Sequence, residues 1–424
     1  MQLSRPSNYS ALSRYGAVSA ASDACAVPPQ DVPRLDAKFC WSTGSEGGGG
    51  VSSSGGGGIS SSSSSGGGVT RSCVARLMLI GASKAASSTL AAQLAANRGV
   101  HIACPVGAAH RLRRHSNGSV VIYEEECAGS GAGREVHLYD GVERGHGDAT
   151  EYAKRERQIA AAVTQRLGAP AGAVGFGAVV HYTPHYLYDP AVPTRMRASF
   201  GHLGGSLPAL LRFVVILREP VSRAISSFWF KGGRSVPQGE AMLTMQMDDV
   251  RRAERCVAQG GGSAMTCGAD GRGAAFSTTD HVGKGVYAPQ LRRWFDTFGG
   301  ACHFFVTTLE RLYMRGKEAT SAQLRALLRW AGVAGVSPSA TLGEAEMRLA
   351  LADRRLTGNN PHEAPFSSGF RERLGAFYAP YNRQLAALIG HAVLQDWATA
   401  YKGGIGSRRR RRLSATFIRN HSFT

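Results

Sequence analysis

Lys84 lies in the run "GASKAASSTL" (residues 81–90), which follows the apolar stretch "LMLI" and sets Ser83, Ser87, Ser88 and Thr89 around the pair Ala85 and Ala86. Between a strand and a helix, such a run can hold a phosphate-like anion. The backbone N–H groups of the helix start face the anion, the positive end of the helix dipole attracts it, and Lys84 and the hydroxyls direct hydrogen bonds at it. The plainer reading is a strand–helix turn with a serine N-cap. A second run, "FVVILREPVSRAISSFW" (residues 213–229), joins an apolar stretch to a helical one through Arg218, Glu219 and Pro220. Proline suits the first helical position, and two turns of helix bring Arg218 and Ser226 to the same end. A guanidinium with paired donors beside a hydroxyl suits a phosphate dianion. The competing reading pairs Arg218 with a nearby carboxylate.

These side chains need a frame. Four short apolar runs, "RLMLIG", "GAVVHY", "RFVVILR" and "HFFVTTL", end near Gly81, Tyr182, Arg218 and Leu309. Each is too short for a helix and apolar on both faces, as strands of a parallel sheet covered on both sides are. Helical patterns fall between them at 89–97, 149–167, 221–230, 288–298 and 322–331, with two more at 344–355 and 369–388. The alternation predicts an α/β fold, a single domain with a central parallel β-sheet flanked by helices. Ligands of such sheets bind at the carboxyl ends of the strands, so residues 81–88, 181–186, 218–226 and Glu310 should gather along one edge.

The Gly/Ser tract at 42–68 cannot bury enough apolar surface to offset its ordering entropy, so residues 1–70 are expected to be a disordered segment. Residues 71–400 would form the domain and 401–424, with "RRRRR" at 408–412, a basic flexible tail. The net charge of +19 suits an anionic partner even with that tail set aside. The eight cysteines include no C-x-x-C pair, and no zinc site or other metal-ligand cluster is indicated. Cys256 and Cys267 flank a Gly-rich stretch and could close it as a disulfide in an oxidising compartment. Asn8, Asn117 and Asn420 begin N-x-Ser sequons. No stretch reaches the roughly eighteen apolar residues of a membrane span, and no signal-peptide core is evident.

Residues 81–90 resemble the 5′-phosphosulfate loop of sulfotransferases, and residues 213–229 resemble the 3′-phosphate motif of the same family. The resemblance extends to the heparan-sulfate and related carbohydrate sulfotransferases through five further ordered segments between residues 74 and 390, one of them "HFFVTTLERL" (303–312), which is similar to their strand and E-D-L turn. "REVHLYDG" (134–141) is similar to their E-V-H-F-F-D segment, and "YTPHYLYDP" (182–190) to their T-P-x-Y segment. "GVYAPQLRRWFDTFG" (285–299) and "RLGAFYAPYNRQLAALIG" (373–390) resemble two of their helices. The resemblance implies a P-loop-like sulfotransferase fold and 3′-phosphoadenosine 5′-phosphosulfate as sulfate donor, with no metal. It also implies a glycan or polysaccharide acceptor rather than a nucleic acid, and a Golgi setting. Under it, residues 83–89 and Lys84 hold the phosphosulfate and Arg218 and Ser226 the 3′-phosphate. Glu135 would be the general base, with Asp140 and His137 on the acceptor side.

The chain departs from that pattern at three places. Ala85 and Ala86 replace a glycine pair, His181 and Tyr182 stand where Glu-Lys precedes Thr-Pro, and "RRLTGNNPHEAP" lacks the usual late K-G-R loop, for which Arg354 or Arg355 would substitute. His181 is the substitute base should Glu135 not serve. Tyr287 and Trp294, at helical spacing, are expected to be core. Two rival functions remain: a P-loop kinase, which needs a lysine directly before Ser/Thr, and a polyanion-binding protein without turnover.

Overall fold

Leu77–Gly81 (β3) forms the centre of the sheet, and Leu77, Met78, Leu79 and Ile80 are each no more than 1% exposed. Burying each such side chain contributes about 1.5–3 kcal/mol, so this strand anchors the whole layer. The computed structural model describes residues 40–43, 70–73, 75–95, 100–103, 109–114, 121–128, 138–140, 148–167, 178–203, 207–233, 235–259, 280–331 and 366–404. The expected helix at 344–355 and Arg354 and Arg355 lie outside them.

Two small antiparallel pairs stand apart from the main sheet. Cys40–Thr43 (β1) pairs with Thr70–Cys73 (β2), and Ala109–Arg114 (β5) with Val121–Ala128 (β6). The first pair places a strand inside the segment expected to be linker. The main sheet adds Val100–Ile102 (β4), Ala178–Tyr182 (β7), Arg212–Leu217 (β8) and Phe304–Thr308 (β9) in the order β4-β7-β3-β8-β9, all parallel. The chain leaves β3 toward β4 on one side of the sheet and leaves β8 toward β9 on the other, so a crevice opens between the carboxyl ends of the neighbouring strands β3 and β8.

Ser87–Ala95 (α1) follows β3, and Ala149–Leu167 (α2) and Val192–Leu203 (α3) flank β7. Pro220–Phe230 (α4) and the 23-residue Val236–Ala258 (α5) follow β8. Tyr287–Phe298 (α6) leads to β9, then Leu309–Tyr313 (α7), Lys317–Trp330 (α8), Ser368–Ile389 (α9) and Ala392–Gly404 (α10). Helix α6 seals one face of the sheet: Trp294 and Phe298 pack on Phe213 at ring-centroid distances of 5.2 and 4.5 Å, and Phe213 stacks on Phe304 at 4.7 Å. Tyr287 and Trp294 are core residues, as their spacing predicted. A second apolar cluster joins α4, α5 and α9 through Phe228, Leu243, Phe370 and Tyr378.

Helices α3 and α5 were not expected from the sequence. Among the buried residues of α5 are only Gly239, Leu243, Gln246 and Met247, a stripe too narrow and too polar to give a clear apolar period. Gly239 belongs there for space, since a Cβ would come within 2.5 Å of the Phe366 ring.

Candidate active site

The run from β3 into α1 makes a tight cup. Gly81 meets the neighbouring loop so closely that a Cβ would lie 2.5 Å from the Leu187 Cβ. That loop is bonded to β3 by Thr183 N–H donating to the Leu79 carbonyl (3.1 Å) and Leu187 N–H donating to the Ile80 carbonyl (2.8 Å). Lys84 and Ala86 have φ of 67° and 66°. Alternate left-handed residues curl a chain into a concave nest of N–H groups, which favours anions. Each costs about 1–2 kcal/mol for a residue with a Cβ. Of the two alanines that replace the glycine pair, Ala86 bears this cost and Ala85 does not.

The first N–H groups of α1 have no intrahelical partner and open toward the nest. Ser83 and Ser88 are half-buried, whereas Ser87 and Thr89 are buried. Among the described residues, the Thr89 Oγ1 has no hydrogen-bond partner although it is shut from solvent. A polar atom left so carries a desolvation cost that an anion or water at the helix start would relieve. Ser88 Oγ lies 2.6 Å from the Tyr182 hydroxyl, so the residue that replaces the pattern's lysine is tied to the cup.

Arg218 comes from the end of β8, and its Nη1 donates to the Lys84 carbonyl at 3.1 Å. The two anion-suited runs are therefore in direct contact. Glu219 is the N-cap of α4, accepting from Val221 N–H (2.9 Å) and Ser222 N–H (2.7 Å), and Pro220 takes the first helical position. Tyr287 donates to the Arg218 carbonyl at 2.9 Å, while Glu310 Oε1 accepts from Glu219 N–H at 3.1 Å. Burial lowers the Arg218 pKa, and the nearby Glu310, Tyr287 and Glu219 work against that shift. Burial raises the Glu310 pKa. On α4, Ser222 and Ser226 are half-buried and Phe230 is exposed, at i, i+4 and i+8 on one helix face. The Lys84 carbonyl is tied near the start of that helix, while its ammonium lies 3.7 Å from the centroid of Phe230 at the end. Sequence reasoning missed Phe230; its only signal was the aromatic run "FWF", of which Phe228 alone is buried.

His181 turns the other way from Tyr182, as successive strand residues do. It is 1% exposed, with Nε2 3.0 Å from the Tyr186 hydroxyl and Nδ1 3.1 Å from Glu156 Oε1. Tyr186 accepts from the N–H groups of Leu138 (2.7 Å) and Tyr139 (3.2 Å), which leaves its own proton for His181 Nε2. Tyr139 donates to Glu156 Oε1 at 2.9 Å, and Arg195 Nη1 to the Tyr139 carbonyl at 2.8 Å. Burial raises the pKa of both tyrosines, so they serve as neutral donors. The whole network fixes residues 138–140, including the buried Asp140. Glu135 and His137, just before them, lie outside the described residues, as does Cys267. Cys256 and Cys302 are each in a disulfide. Among the described residues no group of His, Cys, Asp or Glu could hold a metal ion.

Tyr186→Phe would strand two buried N–H groups and a histidine nitrogen, each such loss costing about 1–3 kcal/mol. Urea unfolding should show a destabilisation of that order while the sheet itself persists by circular dichroism.

Below α4, His281 is held by Ser227 Oγ 2.9 Å from Nδ1 and by Gln246 Oε1, which accepts its N–H at 2.8 Å. Burial first, then the charges of Arg223, Lys284 and Lys231, push its pKa down to about 4. The unfolded value is about 6.5, so folding favours the uncharged ring. That stability is present above about pH 6.5 and drains as pH falls toward 4. His281→Asn should flatten this part of the pH dependence of the urea midpoint. Asp280, whose pKa burial raises, is common to both proteins and cancels in the comparison.

No family model and no curated protein matches the chain. Among solved structures, a sulfotransferase from Alicyclobacillus acidocaldarius is similar to it at 18% identity, with a TM-score of 0.39 over 74% of this chain and 95% of that one. A likeness of that size assigns no function, so the reading of the site rests on residues 81–89 and 218–230.

Proposed function

We propose that the chain is a sulfotransferase that uses 3′-phosphoadenosine 5′-phosphosulfate and acts on a hydroxyl of a carbohydrate acceptor. The observation that carries this reading is the Arg218–Lys84 contact. It sets a guanidinium suited to one phosphate directly against a nest and helix start suited to another, as a donor with separate 5′ and 3′ anionic groups requires. The unpartnered, buried Thr89 hydroxyl fits the same group.

The donor supplies a sulfuryl group on an anhydride oxygen: the acceptor oxygen bonds to sulfur, the sulfur–bridging oxygen bond breaks, and its electron pair stays with the 5′-phosphate. Residues 83–89 hold the phosphosulfate end through backbone N–H groups and hydroxyls. The Lys84 ammonium neutralises charge on the departing oxygen, a preorganised role worth about 10²- to 10³-fold. Arg218 and Ser226 hold the 3′-phosphate. Glu135 takes the acceptor proton, and the tethered segment at 138–140 fixes where that acidic stretch ends. The disulfides at Cys256 and Cys302 suit an oxidising compartment such as the Golgi lumen.

The test is transfer of labelled sulfate from the donor to a panel of desulfated and partly sulfated glycans, with Glu135→Ala as control. Transfer to any glycan, lost in Glu135→Ala, supports the reading. Glycan binding with no binding of 3′-phosphoadenosine 5′-phosphate would favour the polyanion-binding alternative, for which His181 and Tyr182 in place of Glu-Lys and the lack of the late K-G-R loop are the motivating features. Magnesium-dependent turnover of ATP would favour the kinase.

A further inference from the structure

Phe230 is 65% exposed at the end of α4, yet two ammonium groups lie against its ring: Lys84 Nζ at 3.7 Å from the centroid and Lys231 Nζ at 5.9 Å. The first distance is close for a cation–π contact, and the second is at the limit of one. An exposed phenylalanine buries little, so packing does not account for this residue. Its neighbour on the same helix face, Ser226, belongs to the second anion-suited run, and the lysine that reaches it belongs to the first.

We propose that Phe230 is a positioning residue for Lys84: its ring holds the ammonium at the far end of α4 in the ligand-free protein, and an arriving phosphate group must draw it off. This rests on the reading of residues 81–89 as the phosphosulfate site. The Lys84 carbonyl stays anchored by Arg218 at the start of the helix, so only the side chain has to swing. The exchange favours the anion. An exposed cation–π contact is weaker than a charge-assisted hydrogen bond to phosphate, and Lys231 shares the same ring. The ring therefore sets a modest cost on donor binding, because the lysine is taken from a competing site. Removing the ring face should tighten binding, the opposite of what damage to a structural residue would do.

Two measurements test this in the full chain. First, reductive dimethylation with ¹³C reports each lysine by NMR, and Lys84→Ala identifies the Lys84 signal. That signal should show an upfield ring-current shift that disappears in Phe230→Leu, which keeps apolar bulk but has no ring face, and persists in Phe230→Trp. Second, calorimetry with 3′-phosphoadenosine 5′-phosphate should give a dissociation constant about two- to five-fold lower in Phe230→Leu, the worth of an exposed cation–π contact. Binding should be unchanged or weaker in Phe230→Trp. In a Lys84→Ala background the Phe230→Leu change should have no effect, since the two act as a pair. An unshifted Lys84 signal overturns the proposal, and so does equal or weaker nucleotide binding in Phe230→Leu. A shifted Lys84 signal in a protein that binds no nucleotide would instead overturn the donor reading, and the competition with it.

Discussion

Lys84→Ala is expected to lower the rate of sulfuryl transfer by about 10²- to 10³-fold while leaving the fold intact. Under the proposed function the loss should fall on kcat, because the ammonium would act on charge that develops only as the bridging bond breaks, an interaction stronger in the transition state than in the ground state. The backbone nest and the helix start, which do much of the holding, survive the substitution. Alanine at 84 meets the same left-handed φ of 67° that lysine already adopts, so no new strain enters. Lys84→Arg should not restore the rate, because a planar guanidinium is a different donor from a compact ammonium on a flexible stem. The check is single-turnover transfer with saturating donor beside the urea midpoint. An equal fall in midpoint and rate would mean that the lysine holds the structure and not the chemistry.

Arg218→Ala should weaken 3′-phosphoadenosine 5′-phosphate binding by about 10- to 100-fold, since a hydrogen bond to a charged group contributes about 1.5–3 kcal/mol. The substitution removes the guanidinium and also the bond to the Lys84 carbonyl, so the cup itself loosens. It withdraws the positive charge that holds the raised Glu310 pKa in check, so that carboxyl should titrate higher still. A comparison with adenosine 5′-phosphate, which lacks the 3′-phosphate, separates these effects. The wild-type preference for the 3′-phosphorylated compound should vanish in Arg218→Ala, whereas a loosened cup alone would weaken both ligands alike. Arg218→Lys should recover part of the preference, having the charge without the paired donors.

Much of the frame could be read in the sequence, because apolar runs bounded by turn residues are local signals. The helix expected at 149–167 has those bounds, and the four expected strands lie within a residue of β3, β7, β8 and β9. Pro220 at the start of α4 follows from its fixed φ and missing N–H. Strand β4 was missed because three residues, "VHI", carry no period. At the site, sequence order brought residues 81–90 and 218–226 to one edge, but not their contacts. The Arg218–Lys84 and Ser88–Tyr182 bonds join residues 134 and 94 positions apart. The direction of His181 was equally hidden. A strand buried on both faces is apolar throughout, so its pattern does not say which side chains face the crevice. His181 instead faces Glu156 and Tyr186, where it supports residues 138–140.

Titration of the purified wild-type chain with 3′-phosphoadenosine 5′-phosphate bears most directly on the claim that residues 81–89 and 218–226 form one donor site. A single saturable site is predicted, weakened by Arg218→Ala and indifferent to magnesium. No binding of this nucleotide, or binding that ATP with magnesium matches, would contradict it.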